Sequence, residues 1–223
     1  MSMRRIAVAG VSLVVAVSVA GCSGGKSADG GKHPGSQGAG PSGNPPAGGA
    51  PAALQYGPGP QAKYTVQAQP APGSCKYRYT TDKQPLPDPK CTPGALNPKV
   101  TQATLKETVC KSGYTATIRP PVSVTGPEKT ANAKSYGYTG PMGDAEYDHL
   151  VSLVLGGDPD DPRNIWTEPP SPGHKQGGGP NNPKDGVEAK LSSAVCSGKV
   201  QLAAAQNAIA TDWTTALAKL GLK

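Results

Sequence analysis

Tyr147-Asp148-His149-Leu150-Val151-Ser152-Leu153-Val154-Leu155-Gly156-Gly157, followed after a short Asp/Pro loop by Asn164-Ile165-Trp166-Thr167, is the stretch on which the fold turns. The apolar run over residues 145–155 reads as a strand that ends in a tight Gly-Gly loop, which residues 158–162 extend. Residues 164–167 read as a second short strand, and residues 169–180 as a Gly/Pro-rich loop too long for a hairpin turn. A helix follows: Asn182 suits the N-cap, Pro183 the first helical position, and Val187, Leu191 and Val195 recur every four residues until Gly198 closes the element. The local order is strand, strand, helix.

Upstream, residues 102–110 read as a short helix, with Thr101 as cap and Leu105 and Val109 at i, i+4. Residues 114–119 alternate well enough to be a strand stopped by Pro120-Pro121, and residues 126–135 read as a polar helix. Downstream, residues 202–220 read as one last helix that buries Leu202, Ile209, Trp213 and Leu217. Residues 74–223 thus form an α+β domain of ordinary size. It carries 17 Lys+Arg against 14 Asp+Glu, a net charge of +3, whereas the whole chain carries +7. This mild excess permits weak attraction to phosphate polymers but is not the dense basic face of a committed nucleic-acid binder.

The rest of the chain cannot build a core. Only 35% of the 223 residues are hydrophobic, against 30 Gly, 25 Pro and no Phe. Residues 23–73 hold 13 Gly and 9 Pro and almost no branched apolar side chains, too little apolar surface to offset backbone entropy. A disordered, partly extended tether is expected over residues 22–73, long enough to stand a domain off a membrane through wall polymer. A Pro-rich ligand for a partner domain is the weaker alternative, because no basic-flanked Pro spacing recurs. Residues 1–21 open with Arg4-Arg5 and continue as an apolar, small-residue run too short to span a bilayer, which is the export pattern. Val19-Ala20-Gly21-Cys22 resembles the bacterial lipobox, which implies cleavage before Cys22, lipidation of its thiol and anchoring on the extracellular face of the cell membrane.

In an exported chain the even set Cys75, Cys91, Cys110 and Cys196 reads as disulfides. Three pairings are open. The favoured one joins Cys75 to Cys91 across a short Pro-rich loop, and Cys110 to Cys196 between the ends of two expected helices. A zinc site is disfavoured because no Cys-x2-Cys pair occurs and the domain holds only two His.

The Asp-His pair, hydrophobic run, Gly-Gly loop and downstream Asn resemble the HNH-type endonucleases of the ββα-metal superfamily, over roughly residues 146–195. The wider block from Thr92 to Trp213 also resembles a group of exported bacterial proteins of unassigned role. They share an Asp-His-Leu core, an Asn-aliphatic-Trp segment and an Ala-rich final helix ending near Asp-Trp. The HNH resemblance implies a ββα-metal centre flanked by helices, with His149 as general base, Asp148 as metal ligand and Asn164 holding the base-bearing loop. An imidazole of unperturbed pKa near 6.5 suits activation of water, and a divalent cation suits the charge that develops on a phosphodiester.

The third metal ligand of that family is a His or Asn near the helix start. This chain offers Asn181, Asn182, Asp185 and Glu188, oxygen donors suited to Mg2+, with Lys184 placed to contact phosphate and His174 as an outlying candidate. Two functions are therefore expected: a monomeric, lipid-anchored, metal-dependent nuclease acting on DNA or RNA, or a catalytically silent module of the same fold that contacts wall polymer or a protein partner. Plainer roles stand beside each residue: His149 as a hydrogen-bonded core histidine, Asn182 as a helix cap, and Lys184, Asp185 and Glu188 as a solvated first turn.

Overall fold

The computed structural model describes residues 53–223. The expected signal segment, Cys22 and the tether up to residue 52 lie outside the described residues. The elements are β1 (Gln55–Tyr56), β2 (Arg78–Tyr79), β3 (Pro85–Leu86), β4 (Ala95–Leu96), α1 (Tyr114–Ile118), α2 (Val122–Tyr136), β5 (Glu146–His149), β6 (Ile165–Glu168), α3 (Lys184–Cys196), α4 (Leu202–Thr211) and α5 (Ala216–Lys219). The strands form three two-stranded sheets: β1 and β4 parallel, β2 and β3 antiparallel, β5 and β6 antiparallel. Mixed helices and small sheets with two disulfides make this an α+β fold.

The main core lies where α3, α4 and α5 close over the 3-10 turn Leu153–Leu155, burying Val151, Leu155, Leu191, Val195, Leu202, Ile209 and Trp213 together with Leu105 and Val109. A smaller cluster joins the Cys75–Cys91 disulfide to Tyr136 and Trp166. Both disulfides have the favoured pairing, with Cα separations of 5.9 Å for Cys75–Cys91 and 5.6 Å for Cys110–Cys196. The second spans 86 residues and removes more freedom from the unfolded chain than the first.

Several elements differ from the sequence reading. Residues 114–118 are helical rather than extended, because Tyr114 and Ile118 stand at i, i+4 and both turn inward. The alternation that suggested a strand is equally a single helical turn. Residues 102–110 form only a 3-10 turn, Gln102–Thr104, capped by Thr101 as expected. Beyond it the Thr108 and Cys110 amides both bond to the Leu105 carbonyl, so no regular i→i−4 ladder develops. α2 begins at Val122, before the expected start, and accommodates Pro127 inside its second turn. The last helix divides at Asp212, whose extended backbone ends α4 and whose Oδ1 accepts the amide and hydroxyl of Thr214.

The tether expected through Gly73 is also shorter than its composition suggests. Residues 54–73 run along the domain, where their few anchoring groups meet complementary partners. Gln55 and Tyr56 pair with β4, the Gly59 amide donates to Asp158 Oδ2 at 2.7 Å, the Tyr64 hydroxyl donates to the Ile118 carbonyl, and the Gln67 amide donates to Glu128 Oε1 at 2.7 Å. Gly57 permits this approach: a Cβ there would lie 2.4 Å from Asp158 Oδ2.

Candidate functional site

The single strand expected over residues 145–155 is in fact β5 followed by an abrupt turn. Asn164 causes the break. Its Oδ1 accepts the Val151 amide at 3.0 Å, and its Nδ2 donates to the Val151 and Asp158 carbonyls, both at 3.0 Å. These bonds replace the strand ladder and fold residues 151–158 into a loop. Gly157 allows the closure, since a Cβ there would sit 1.7 Å from the Val151 carbonyl oxygen.

The register of β5 and β6 pairs Glu146 with Glu168, Asp148 with Trp166 and His149 with Ile165. Alternation sends Glu146 and Asp148 to one face, towards the start of α3, and Tyr147 and His149 to the other. On the first face Lys184 is completely buried. Its Nζ lies 2.8 Å from Asp148 Oδ2, donates to the His149 carbonyl at 2.8 Å, and pairs with Glu188 Oε1 one helical turn on. Trp166 Nε1 donates to the same Asp148 oxygen at 3.1 Å, and the Ser152 hydroxyl donates to Glu188 Oε2 at 2.7 Å. Asn182 Nδ2 bridges Glu146 Oε2 and Glu168 Oε2 at 3.0 and 3.3 Å, while its Oδ1 accepts the Lys184 amide; α3 begins one residue later than expected, with Pro183 rather than Asn182 at the N-cap position.

Burial works against the charge of Lys184, but Asp148, Glu188 and Glu168 outweigh it and raise its pKa. Lys184 is therefore an ammonium. Burial likewise drives Asp148 upward, against the pull of Lys184. Glu168 is raised well above the usual carboxylate range by burial and then by the charge of Asp148.

The expected site residues separate accordingly. Asp148, Asn182, Lys184 and Glu188 come together, joined by Glu146, Glu168, Trp166 and Ser152, which the sequence reading did not assign. Asn181 and Asp185 are exposed and do not join them. Lys184 is not placed to contact phosphate, because burial and three acceptors engage it. His149 lies on the opposite face, partly buried, with Nε2 held 3.0 Å from the Pro159 carbonyl; burial depresses its pKa to about 4. His174 sits apart, with Nε2 3.3 Å from Asp144 Oδ2, where it helps pin the Gly-rich loop.

The surroundings of Asp148 do not fit a divalent cation. An ammonium already occupies the bonding distance of its carboxylate, and among the described residues no three His, Cys, Asp or Glu side chains are arranged to hold a metal ion. The cluster also lies away from the open clefts described, the largest of which, about 430 Å3, is lined by Lys190, Ser193, Ser197, Lys199 and Lys223. The chain matches no protein-family model, no curated protein and no solved structure.

Proposed function

We propose that this protein is a catalytically silent envelope module whose strand-strand-helix centre resembles the ββα-metal fold but is held together by a lysine in the place of a cation. The observation that carries this reading is the buried Lys184 ammonium, 2.8 Å from Asp148 and paired with Glu188. A fixed positive charge there satisfies the carboxylate that would otherwise ligate metal. His149 adds support, because an imidazole bonded to a backbone carbonyl on the other face of β5 is poorly placed to activate water beside Asp148.

The open surface of such a module is the cleft lined by Lys190, Lys199 and Lys223, whose charges suit an anionic polymer of the envelope. Anchoring at Cys22 belongs to the same proposal.

A second reading, the metal-dependent nuclease, draws on the excess of carboxylates over cations: Glu146, Asp148, Glu168 and Glu188 surround one lysine, and Glu168 Oε1 is buried without a hydrogen-bond partner. One experiment separates the two. The full-length chain, disulfides intact, is incubated with supercoiled plasmid and single-stranded RNA in Mg2+, Mn2+ or chelator, beside His149→Ala, and both are titrated with a poly(glycerol phosphate). The module reading expects no cleavage from either protein and polymer binding that weakens when Lys190 and Lys199 become Gln. Metal-dependent nicking lost in His149→Ala would overturn it and establish the nuclease.

A further inference from the structure

The other face of β5 carries a second group of buried polar side chains that neither reading uses. Glu128 on α2 and Asp160 in the loop after Gly157 are 1% and 4% exposed. Both carboxylate oxygens of Asp160, Oε2 of Glu128 and the hydroxyl of Tyr147 are buried without a hydrogen-bond partner. Glu128 Oε1 accepts the Gln67 amide of the segment that runs over this face, and the Tyr147 hydroxyl and the Gln67 side chain come near enough to Glu128 and Asp160 to act against the upward pull of burial on these carboxyls. Tyr147 and Asp160 both feel the charge of Glu128.

Orphaned carboxylate oxygens of this kind are costly to bury as ions, and they call for an ion or a proton. Neighbouring basic groups do not supply the charge. Lys129, next to Glu128 on α2, donates to the Met142 and Ala145 carbonyls, Arg163 pairs with Asp161, and Lys184 belongs to the opposite face.

The geometry points to a site for a hard divalent cation of calcium size, built by Glu128 and Asp160 with the Tyr147 hydroxyl and closed by the Gln67 segment. Calcium takes six to eight oxygen ligands and accepts neutral oxygens and water beside carboxylates, so two acidic side chains suffice where three do not converge. Sites with so few charges fall near the weak end of the calcium range, about 10^-4 to 10^-3 M, the class of extracellular modules. Bound calcium neutralises the orphaned carboxylates and fastens the Gln67 segment to the domain.

The test uses the full-length chain and two probes, Ca2+ and Tb3+. Aromatic-sensitised Tb3+ emission that Ca2+ displaces is expected, together with a rise of several degrees in Tm between chelator and 5–10 Kd of Ca2+. Both responses should weaken at least tenfold in Asp160→Asn and vanish in Glu128→Gln/Asp160→Asn, and both should persist in Glu168→Gln, which alters only the Lys184 face. Far-UV circular dichroism in chelator checks that each variant folds; if the double variant does not, the single Asp160→Asn decides. No emission and no calcium-dependent melting would overturn the proposal, as would a response that survives in the double variant. Responses lost only in Glu168→Gln would place the cation on the other face and overturn it equally. A variant that gains stability while wild type ignores calcium would mean that a shared proton, not a cation, satisfies the pair.

Discussion

Lys184 Nζ and Asp148 Oδ2 lie 2.8 Å apart, with no exposure of the lysine side chain and 6% of the aspartate's. A pair this deep contributes little net stability against an apolar replacement of both partners, yet breaking it from one side leaves an uncompensated charge. Lys184→Met strands Asp148 and Glu188 together, and it is expected to cost about 3–5 kcal/mol. Urea denaturation checks this. Adding Asp148→Asn to Lys184→Met should recover part of the loss; strictly additive effects would mean that the two residues are not coupled.

Asn164 ties the Val151 to Asp158 loop at both ends, donating to two carbonyls and accepting from an amide, while Gln206 Nε2 donates to the Leu155 carbonyl between them. Asn164→Asp keeps the shape but exchanges the donor for a charged acceptor facing the Val151 and Asp158 carbonyls. A loss of about 3 kcal/mol or more is expected, since each buried group left unsatisfied costs about 1–3 kcal/mol. A melting temperature within a degree of wild type would show that the loop is held by something else.

Two desolvated groups, the partly buried His149 and the buried Glu168, give opposite pH dependences. The His149 pKa is depressed from its usual 6.5 to about 4 by burial, so between those values the unfolded state binds more protons. Its contribution to stability is complete above pH 6.5 and falls away as pH drops towards 4. Glu168, whose pKa is raised by burial and by Asp148, works the other way: its folded form holds a proton that the unfolded chain releases, so its contribution declines as pH rises above the ordinary glutamate range. Stability measured from pH 4 to 8 should therefore show a shallower acid-side fall in His149→Gln and a shallower decline at rising pH in Glu168→Gln, the rest of that decline coming from Asp148 and Asp160, whose carboxyls burial also raises. The imidazole of His149, followed by NMR, should stay neutral down to about pH 4; a midpoint near 6.5 would contradict the buried, carbonyl-bonded ring.

Residues 54–73 behave in the structure as part of the domain. Removing them takes away the donors to Asp158 Oδ2, the Ile118 carbonyl and Glu128 Oε1. A chain beginning at Ser74 is expected to be less stable than one beginning at Ala53 by several times the roughly 1 kcal/mol of a typical hydrogen bond, with faster amide exchange in β4 and α2. Equal urea midpoints for the two chains would show that the segment only rests on the surface.

Local patterns carried much of this fold. The four-residue apolar spacing of α3, the second short strand and the even cysteine set each encode their outcome in neighbouring residues, and the structure has all of them. The misread elements are those whose limits are set by distant contacts or that are too short to show a period. Five residues such as Tyr114–Ile118 satisfy period two and period 3.6 equally, and a loop bent by a distant Asn164 leaves no mark in the run it interrupts. The candidate site divides in the same way. Asp148, Asn164 and the α3 start were visible as a motif; Glu146 and Glu168 were not, because only the β5–β6 register sets them opposite one another. The i, i+4 spacing of Lys184 and Glu188 was the available sign of an ion pair.

The sequence by itself determined the elements that depend on near neighbours: the strand-strand-helix order, the four-residue apolar spacing of α3 and the even set of cysteines, among whose three open pairings the favoured one is the one the structure has. Tertiary structure alone decided the chemistry. Whether Lys184 reaches out to solvent or in to Asp148 depends on which way the first turn of α3 faces β5, and side chains brought from residues 146, 148, 168, 184 and 188 share one desolvated space only after folding. Charge, burial and pKa are properties of that space, so the change from an expected cation-binding aspartate to a lysine-bound one could not be read along the chain.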